Sequence, residues 1–399
     1  MASYINTGFK SRNNLNKDLI DIFEPHFGPI LDYQTKYKSV QNANLDLNNI
    51  FQLYTDGDLS ANLTNFTTYD GTTKVDLNSV FRRKKTDLPN FPTRADSTFG
   101  RNVVSCCMYD KYAIIITAND IFYSADYGAT YVRSFPIPSI SGSLVDCCIF
   151  GYNAIVISAR SVLYSSNCGQ TWSLTTSGLP VSGQNYKSCS ICDNYAILAN
   201  GLNGMYGSSN YGQTWVNLNA PLLDWDRVSI SKTGTIGNYT YIAIASYNVA
   251  TSSAVTRMYY SSNFTGEIGT SFTVSSTTFN ADITSLSLSG TNGILCISGT
   301  GGGIYYTINQ GLTWTETTSV IVNATNFCSL SNAIDASFNT TYVGIASGGA
   351  SVYISKDGGQ TWSIVSNVNN FEYCAISNSN VIVYNNGSGS LDYMHYGKV

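Results

Sequence analysis

From residue 103 onward, short apolar runs alternate with clusters of Gly, Asn, Asp and Ser. Val103-Val-Ser-Cys-Cys-Met108, Tyr112-Ala-Ile-Ile-Ile-Thr-Ala118 and Ile121-Phe-Tyr-Ser124 form a first group. Leu144-Val-Asp-Cys-Cys-Ile149, Ala154-Ile-Val-Ile-Ser158 and Val162-Leu-Tyr-Ser165 form a second, and Lys187-Ser-Cys-Ser-Ile191 with Tyr195-Ala-Ile-Leu-Ala199 opens a third. Runs this short, bounded by turn formers, predict β-strands.

One polar signature follows each group, recurring six times at intervals of about 40 to 55 residues. Its residues are Ser124, Asp126 and Gly128; Ser165, Asn167, Gly169 and Trp172; Ser208, Asn210, Gly212 and Trp215; Thr307, Asn309, Gly311 and Trp314; and Ser355, Asp357, Gly359 and Trp362. A degenerate copy, Ser261-Ser-Asn-Phe-Thr-Gly, lies between the third and the fifth, and the first copy carries Tyr131 where later ones carry Trp. Asp or Asn closes a turn by accepting from backbone N–H groups further on. Gly supplies positive φ, and Thr-Trp opens the next strand.

With the strand after the signature, every unit has four strands, which is one blade of a β-propeller. After the sixth signature come Glu372-Tyr-Cys-Ala-Ile376, Val381-Ile-Val-Tyr384 and Leu391-Asp-Tyr-Met-His-Tyr396. These make a seventh blade that lacks one strand, for which residues 91–99 are the candidate. The reading is all-β, a seven-bladed propeller over 103–399, with six blades and a C-terminal appendage as the alternative. Small residues in the first strands (Cys106, Cys107, Cys147, Cys148, Ser188, Cys189, Ser285, Ser329, Cys374) are expected to line a crowded axis.

The signature resembles the Asp-box of sialidases, sortilin-like receptors and photosystem assembly factors, over roughly residues 103 to 399. In those families the hairpin is structural. The resemblance therefore implies a propeller and carries over no catalytic residue.

Residues 1–88 hold a different repeat. Asp18-Leu19 with Phe23, Asp46-Leu47 with Phe51, and Asp76-Leu77 with Phe81 share the pattern Asp-Leu-x-x-Ile/Val-Phe, spaced by 28 and then 30 residues. The apolar spacing suits short helical turns capped by Asp, in an otherwise irregular arm. Each copy has too little apolar surface to fold alone, so an anchoring role is expected for these nine residues. The tandem resembles segments of structural proteins of giant and other large DNA viruses. That resemblance implies capsid or other virion proteins as partners of the arm. Arg82-Arg-Lys-Lys85 reads as the start of a linker, and 89–102 as linker or closing strand.

Composition narrows the function. Of 399 residues, 12% are charged, about half the usual fraction, while Tyr alone numbers 29. Such a surface suits coat proteins and adhesins that touch a host glycan or receptor. A net charge of −4 argues against nucleic acid as partner. No apolar run is long enough to span a membrane, and the N-terminus lacks a secretory pattern. Ten cysteines without such a signal suggest reduced thiols in a chain made in host cytoplasm and located in the virion. Cys189-x-x-Cys192 stands without a second pair, and only His26 and His395 are present, so neither metal nor cofactor is expected.

The enzymatic alternative is a sialidase-like hydrolase, needing arginines around a sugar carboxylate and a Tyr–Glu pair. Arg101, Arg160 and Arg227, with Asp146, Asp226, Asp282 and Glu372, are its candidates, on the face opposite the signature turns. The Phe/Tyr-Arg-Ile-Pro segment of that family is missing. The expectation is therefore a non-enzymatic virion protein that binds protein or glycan. A propeller assembly factor is the third reading.

Overall fold

The apolar runs pair in chain order, each with its successor. The computed structural model describes residues 10–11, 14–18, 23–25, 37–39, 66–68, 74–75, 81–83 and 93–95. It also describes 103–398, apart from 176, 222, 236–237, 250–254, 268–269, 298–302, 319–326, 335–339, 349–350, 367–370 and 386–392. Blade 1 comprises Val103–Tyr109, Tyr112–Thr117, Ile121–Ser124 and Val132–Arg133, from inner to outer strand. Five more four-stranded antiparallel sheets repeat this order. Their inner strands are Leu144–Phe150, Ser188–Cys192, Asp224–Thr235, Ile283–Ser289 and Phe327–Ile334.

The seventh sheet is built from both ends of this region. Phe371–Ser377, Asn380–Asn385 and Tyr393–Lys398 are joined at the outer edge by Thr93–Arg94. Thr93 pairs with Tyr396 and Arg94 with His395, and the Ala95 N–H donates to the Met394 carbonyl at 2.8 Å. Each inner strand packs against the next, and Phe371–Ser377 packs against Val103–Tyr109. The fold is a closed seven-bladed β-propeller. The six-bladed alternative is excluded.

Sandwiching explains why the second strands read as unbroken apolar runs. Ala113 through Ile116 are all at 0% exposure. Ile114 and Ile116 pack with Leu144, Ile149 and Trp172 of blade 2. Ala113 and Ile115 face the other way, to Ala375, Ile382 and Tyr384 of blade 7. A strand with a blade on either side has no polar face to show.

The inner-strand serines do more than fill a narrow space. Ser190 Oγ accepts from Ile230 N at 3.0 Å, Ser229 Oγ from Leu288 N at 3.0 Å, and Ser231 Oγ from Gly290 N at 2.8 Å. Ser287 Oγ accepts from Leu330 N at 2.9 Å, Ser329 Oγ from Ile376 N at 3.2 Å, and Ser331 Oγ from Asn378 N at 2.9 Å. Ser377 Oγ accepts from Asp110 N at 2.8 Å across the closing seam. Backbone N–H groups that no strand ladder satisfies thus find partners on the preceding blade.

The chain divides into two units. One is Met1–Leu88 with Ala336–Phe338, and the other is Pro89–Asp335 with Asn339–Val399. In the first, Lys10–Ser11 pairs with Asn14–Asp18, and Tyr37–Ser39, Phe66–Thr68 and Lys74–Val75 form a three-stranded sheet. Phe23–Pro25 pairs with Phe81–Arg83, so Arg82 and Arg83 lie in a strand and not in a linker. Asp18 ends one strand and Phe23 begins another. Leu19, Asp46, Leu47, Phe51, Asp76 and Leu77, where helical turns are expected, lie outside the described residues.

Candidate functional site

The signature residues join the third strand of a blade to its outer strand. In blade 1, Ser124 Oγ donates to Asp126 Oδ1 at 2.8 Å and accepts from Gly128 N at 3.0 Å. Asp126 Oδ1 accepts in turn from Thr130 N at 2.9 Å. The same closure is built by Ser165 and Asn167, Ser208 and Asn210, Thr307 and Asn309, and Ser355 and Asp357. The indole N–H groups of Trp215 and Trp362 donate back to the carbonyls of Gly212 and Gly359, at 3.0 and 2.9 Å. Those of Trp172 and Trp314 have no acceptor among the described residues.

In the degenerate fourth copy the hairpin is longer, but one anchor survives. Phe264 N donates to Tyr241 O at 2.8 Å, as Tyr127 N does to Lys111 O and Tyr211 N to Asn194 O. Phe264 is only 1% exposed, and its ring fills the core between blades 3 and 4. Glu267, one of the glutamates available to a Tyr–Glu pair, sits in this hairpin and accepts from Ser209 Oγ at 2.6 Å. It is therefore on the wrong face for the hydrolase reading.

The opposite face is framed by the beginnings of the inner strands, and there a polar cluster gathers at the axis. Asp146, on the inner strand of blade 2, is held by four donors. Ser105 Oγ and its neighbour Cys147 N reach Oδ1, both at 2.9 Å. Ser188 Oγ and Cys189 N reach Oδ2 at 3.0 and 3.1 Å, so one carboxylate ties three blades together. Desolvation between the blades raises its pKa, although Arg227 and these hydrogen bonds pull the other way.

Arg227 stands on the inner strand of blade 4, next to a register shift between Trp225 and Arg227. Its backbone N–H donates to Ser246 Oγ at 3.2 Å. Its Nε is buried without an acceptor, and among the described residues its guanidinium makes no hydrogen bond or ion pair. Asp146 acts on it only through space, because both carboxylate oxygens are already engaged. From blade 7, Tyr373 belongs to the same group. Burial pushes its phenol up to about 12, Glu372, Cys106 and Asp146 add to the shift, and Arg227 opposes it. Lys187 is committed elsewhere, to Asp224 at 2.9 Å and Asp226 at 3.8 Å.

Of the three arginines proposed from the sequence, Arg227 alone stands on a described inner strand. Arg160 lies exposed in the turn after Asn153–Ser158, and Arg101 is outside the described residues. Asp282 is exposed between blades 4 and 5. Tyr373 and Lys187 carried no local signal, since neither belongs to a motif. Among the described residues, no three His, Cys, Asp or Glu side chains are grouped to hold a metal ion.

At the other end of the axis, the inner hairpin of blade 4 is longer than its counterparts, with strands of 12 residues each. Lys232 bonds Asp193 at 2.9 and 3.0 Å and lies 5.1 Å from the Phe150 ring centroid. Tyr241 donates to the same carboxylate at 2.7 Å. This triad clamps the long hairpin to blades 2 and 3.

No family model matches the chain, and no curated protein does. Solved structures do. A structure titled "YCF48 bound to D1 peptide" superposes with a TM-score of 0.51 at 13% identity, covering 78% of this chain and 99% of that one. YCF48 from Cyanidioschyzon merolae gives 0.50 at 14% identity, covering 78% and 98%. The Pan2 WD40 domain of Neurospora crassa gives 0.50 at 11% identity, covering 74% and 89%. At these identities the likeness is one of fold.

Proposed function

We propose that this protein is a non-enzymatic binding module of a virion, attached through residues 1–88 and presenting its propeller to a protein or glycan partner. The guanidinium of Arg227, unpartnered among the described residues, carries this reading. A planar cation with open donors at the axis is suited to hold a carboxylate or a backbone carbonyl of an incoming ligand. The D1 peptide named with YCF48 shows that a propeller of similar fold holds a peptide. We read the six hairpins as Asp-boxes, and the viral setting comes from the resemblance of the front segment to virion proteins.

Tyr373 supports binding over cleavage. A phenol whose pKa is pushed up to about 12 stays protonated at neutral pH and is a poor nucleophile. The test is an array of peptides and glycans probed with the full-length protein. Binding that Arg227→Ala reduces at least tenfold is the expected result. Binding that Arg227→Ala leaves unchanged would place the contact elsewhere. Incorporation into particles that survives deletion of residues 1–88 would end the anchoring role, and absence from purified particles would favour an assembly factor.

One observation favours a second reading. Arg227, Asp146, Tyr373 and Glu372 lie at the same end of the axis, the residue types a sialidase-like hydrolase uses. Turnover of a fluorogenic sialoside, abolished by Arg227→Ala, would replace the binding proposal with that one.

A further inference from the structure

The seam between blades 2 and 3 carries two thiols in contact. Cys148 and Cys189 lie on neighbouring inner strands with their Sγ atoms 3.5 Å apart, and both are free. The seam is pinned beside them. Asp146, two residues before Cys148, accepts from the backbone N–H of Cys189 itself. Cys148 is half-buried, whereas Cys189 is 5% exposed. Two further thiol contacts cross seams, Cys107 with Cys147 and Cys296 with Cys328.

We propose that Cys148 and Cys189 form an oxidation site, in which a small peroxide converts the reduced seam into a disulfide joining blade 2 to blade 3. Cys148 is the first sulfur to react, being the more accessible of the two. Its thiolate attacks one peroxide oxygen and the O–O bond breaks. The departing hydroxide takes the proton that Cys148 gave up, leaving a sulfenic acid and water. The Cys189 sulfur then attacks the Cys148 sulfur and the S–O bond breaks. A second water leaves, carrying the Cys189 proton. Two thiols have lost two electrons, and one peroxide has become two waters.

The sulfurs must approach from 3.5 Å to a bond of about 2 Å, a movement that side-chain rotation on two adjoining strands can supply. Burial raises the pKa of both thiols, and Asp146 and Cys147 raise them further, while the contact with Cys189 lowers that of Cys148. The reaction is accordingly slow at neutral pH and faster in mild alkali, where more thiolate is present. Nothing in this chemistry depends on what the propeller binds.

The experiment treats the reduced full-length protein with hydrogen peroxide at pH 8.5, then alkylates free thiols and maps peptides without reduction. The expected product is a cross-linked Cys148–Cys189 peptide lighter by two hydrogen atoms, with two of the ten thiols lost and both restored by dithiothreitol. Cys189→Ser should leave Cys148 as a sulfenic acid trapped by dimedone, and Cys192→Ser should still cross-link. A map of oxidised protein in which Cys148 is sulfinic or sulfonic acid without any cross-link would overturn the proposal. So would ten alkylated thiols after prolonged exposure, or Cys107–Cys147 as the sole bridge. Because the wild-type map decides the matter, poor folding of a variant would not rescue the idea.

Discussion

Gly128 of the first blade lies against Ile382 of the last, across the seam that closes the ring. A β-carbon at Gly128 would stand 2.6 Å from Ile382 Cγ2. The relationship repeats: Gly169 meets Ile114, Gly212 meets Ile155, Gly311 meets Ile244 and Gly359 meets Ile294, each on the second strand of the preceding blade. The same hairpins also receive hydroxyl donors from that blade, Thr175 on Gln213 O at 2.6 Å and Thr317 on Gln360 O at 2.8 Å. The signature is thus a joint between blades as well as a turn.

Gly128→Ala combines two costs, a φ of +86° and a steric clash, and should destabilise by about 2–4 kcal/mol. Gly151→Ala serves as the control, since Gly151 has a φ of +61° but nothing within 4 Å of the added carbon. It should cost about 1 kcal/mol. Urea unfolding of the two variants compares them directly, and equal losses would show that the seam contact contributes nothing.

Ring closure depends on a strand of two residues. Replacing Ala95 by Pro removes the N–H that reaches Met394 O and strains the pairing of Thr93 and Arg94. A loss of about 1–3 kcal/mol is expected, read as a lower midpoint of thermal unfolding. An unchanged midpoint would mean that the ring holds without its closing strand.

Ser287→Ala leaves the Leu330 N–H without its acceptor at a seam between blades. A buried donor left unsatisfied costs about 1–3 kcal/mol. Ser161→Ala, which gives up an acceptor for the exposed Ser141 N–H, should cost much less in the same denaturation assay.

Two aspartates should respond to pH with opposite sign. Asp146 has its pKa raised by desolvation, so the folded state holds its proton more tightly than the unfolded chain does. Its favourable contribution is complete below about 3.9 and is lost as pH rises through the folded value. For Asp357, desolvation is outweighed by the hydroxyl and N–H of Thr361 and by Ser355, and the pKa falls. Its contribution is complete above about 3.9 and is lost as pH falls through the folded value. Asp146→Asn should therefore improve relative to wild type between pH 4 and 7, whereas the deficit of Asp357→Asn should shrink on acidification. Stability curves from about pH 4 to 7 check the first slope and curves below about pH 4 the second, and curves parallel to wild type would contradict them.

How far the chain could be read depended on distance along it. Each turn uses residues within about eight positions, so Ser124, Asp126 and Gly128 announce their hairpin through side-chain reach and positive φ. The strand-rich blades followed from the same local grammar, whereas the seventh outer strand, which pairs with the far end of the chain, followed only from the need to close the ring. The fourth blade was harder, because Thr265 stands where the other copies have glycine and Phe264 plugs the core in place of an indole. Its long hairpin, clamped by Lys232, Asp193 and Tyr241, gave no warning in the pattern.

The sequence by itself determined where strands run, where they turn, and that the turns recur often enough to close a ring. Those properties arise from backbone conformation and short side-chain hydrogen bonds, which neighbouring residues control. Only the tertiary structure decided which serine reaches which N–H, which isoleucine fills the space beside each glycine, and that Asp146, Arg227 and Tyr373 share one end of the axis. These residues come from blades 2, 4 and 7, and they meet because the ring brings every inner strand to a common centre. That convergence depends on how the sheets stack and twist, a property of the assembled core that no short stretch of chain contains.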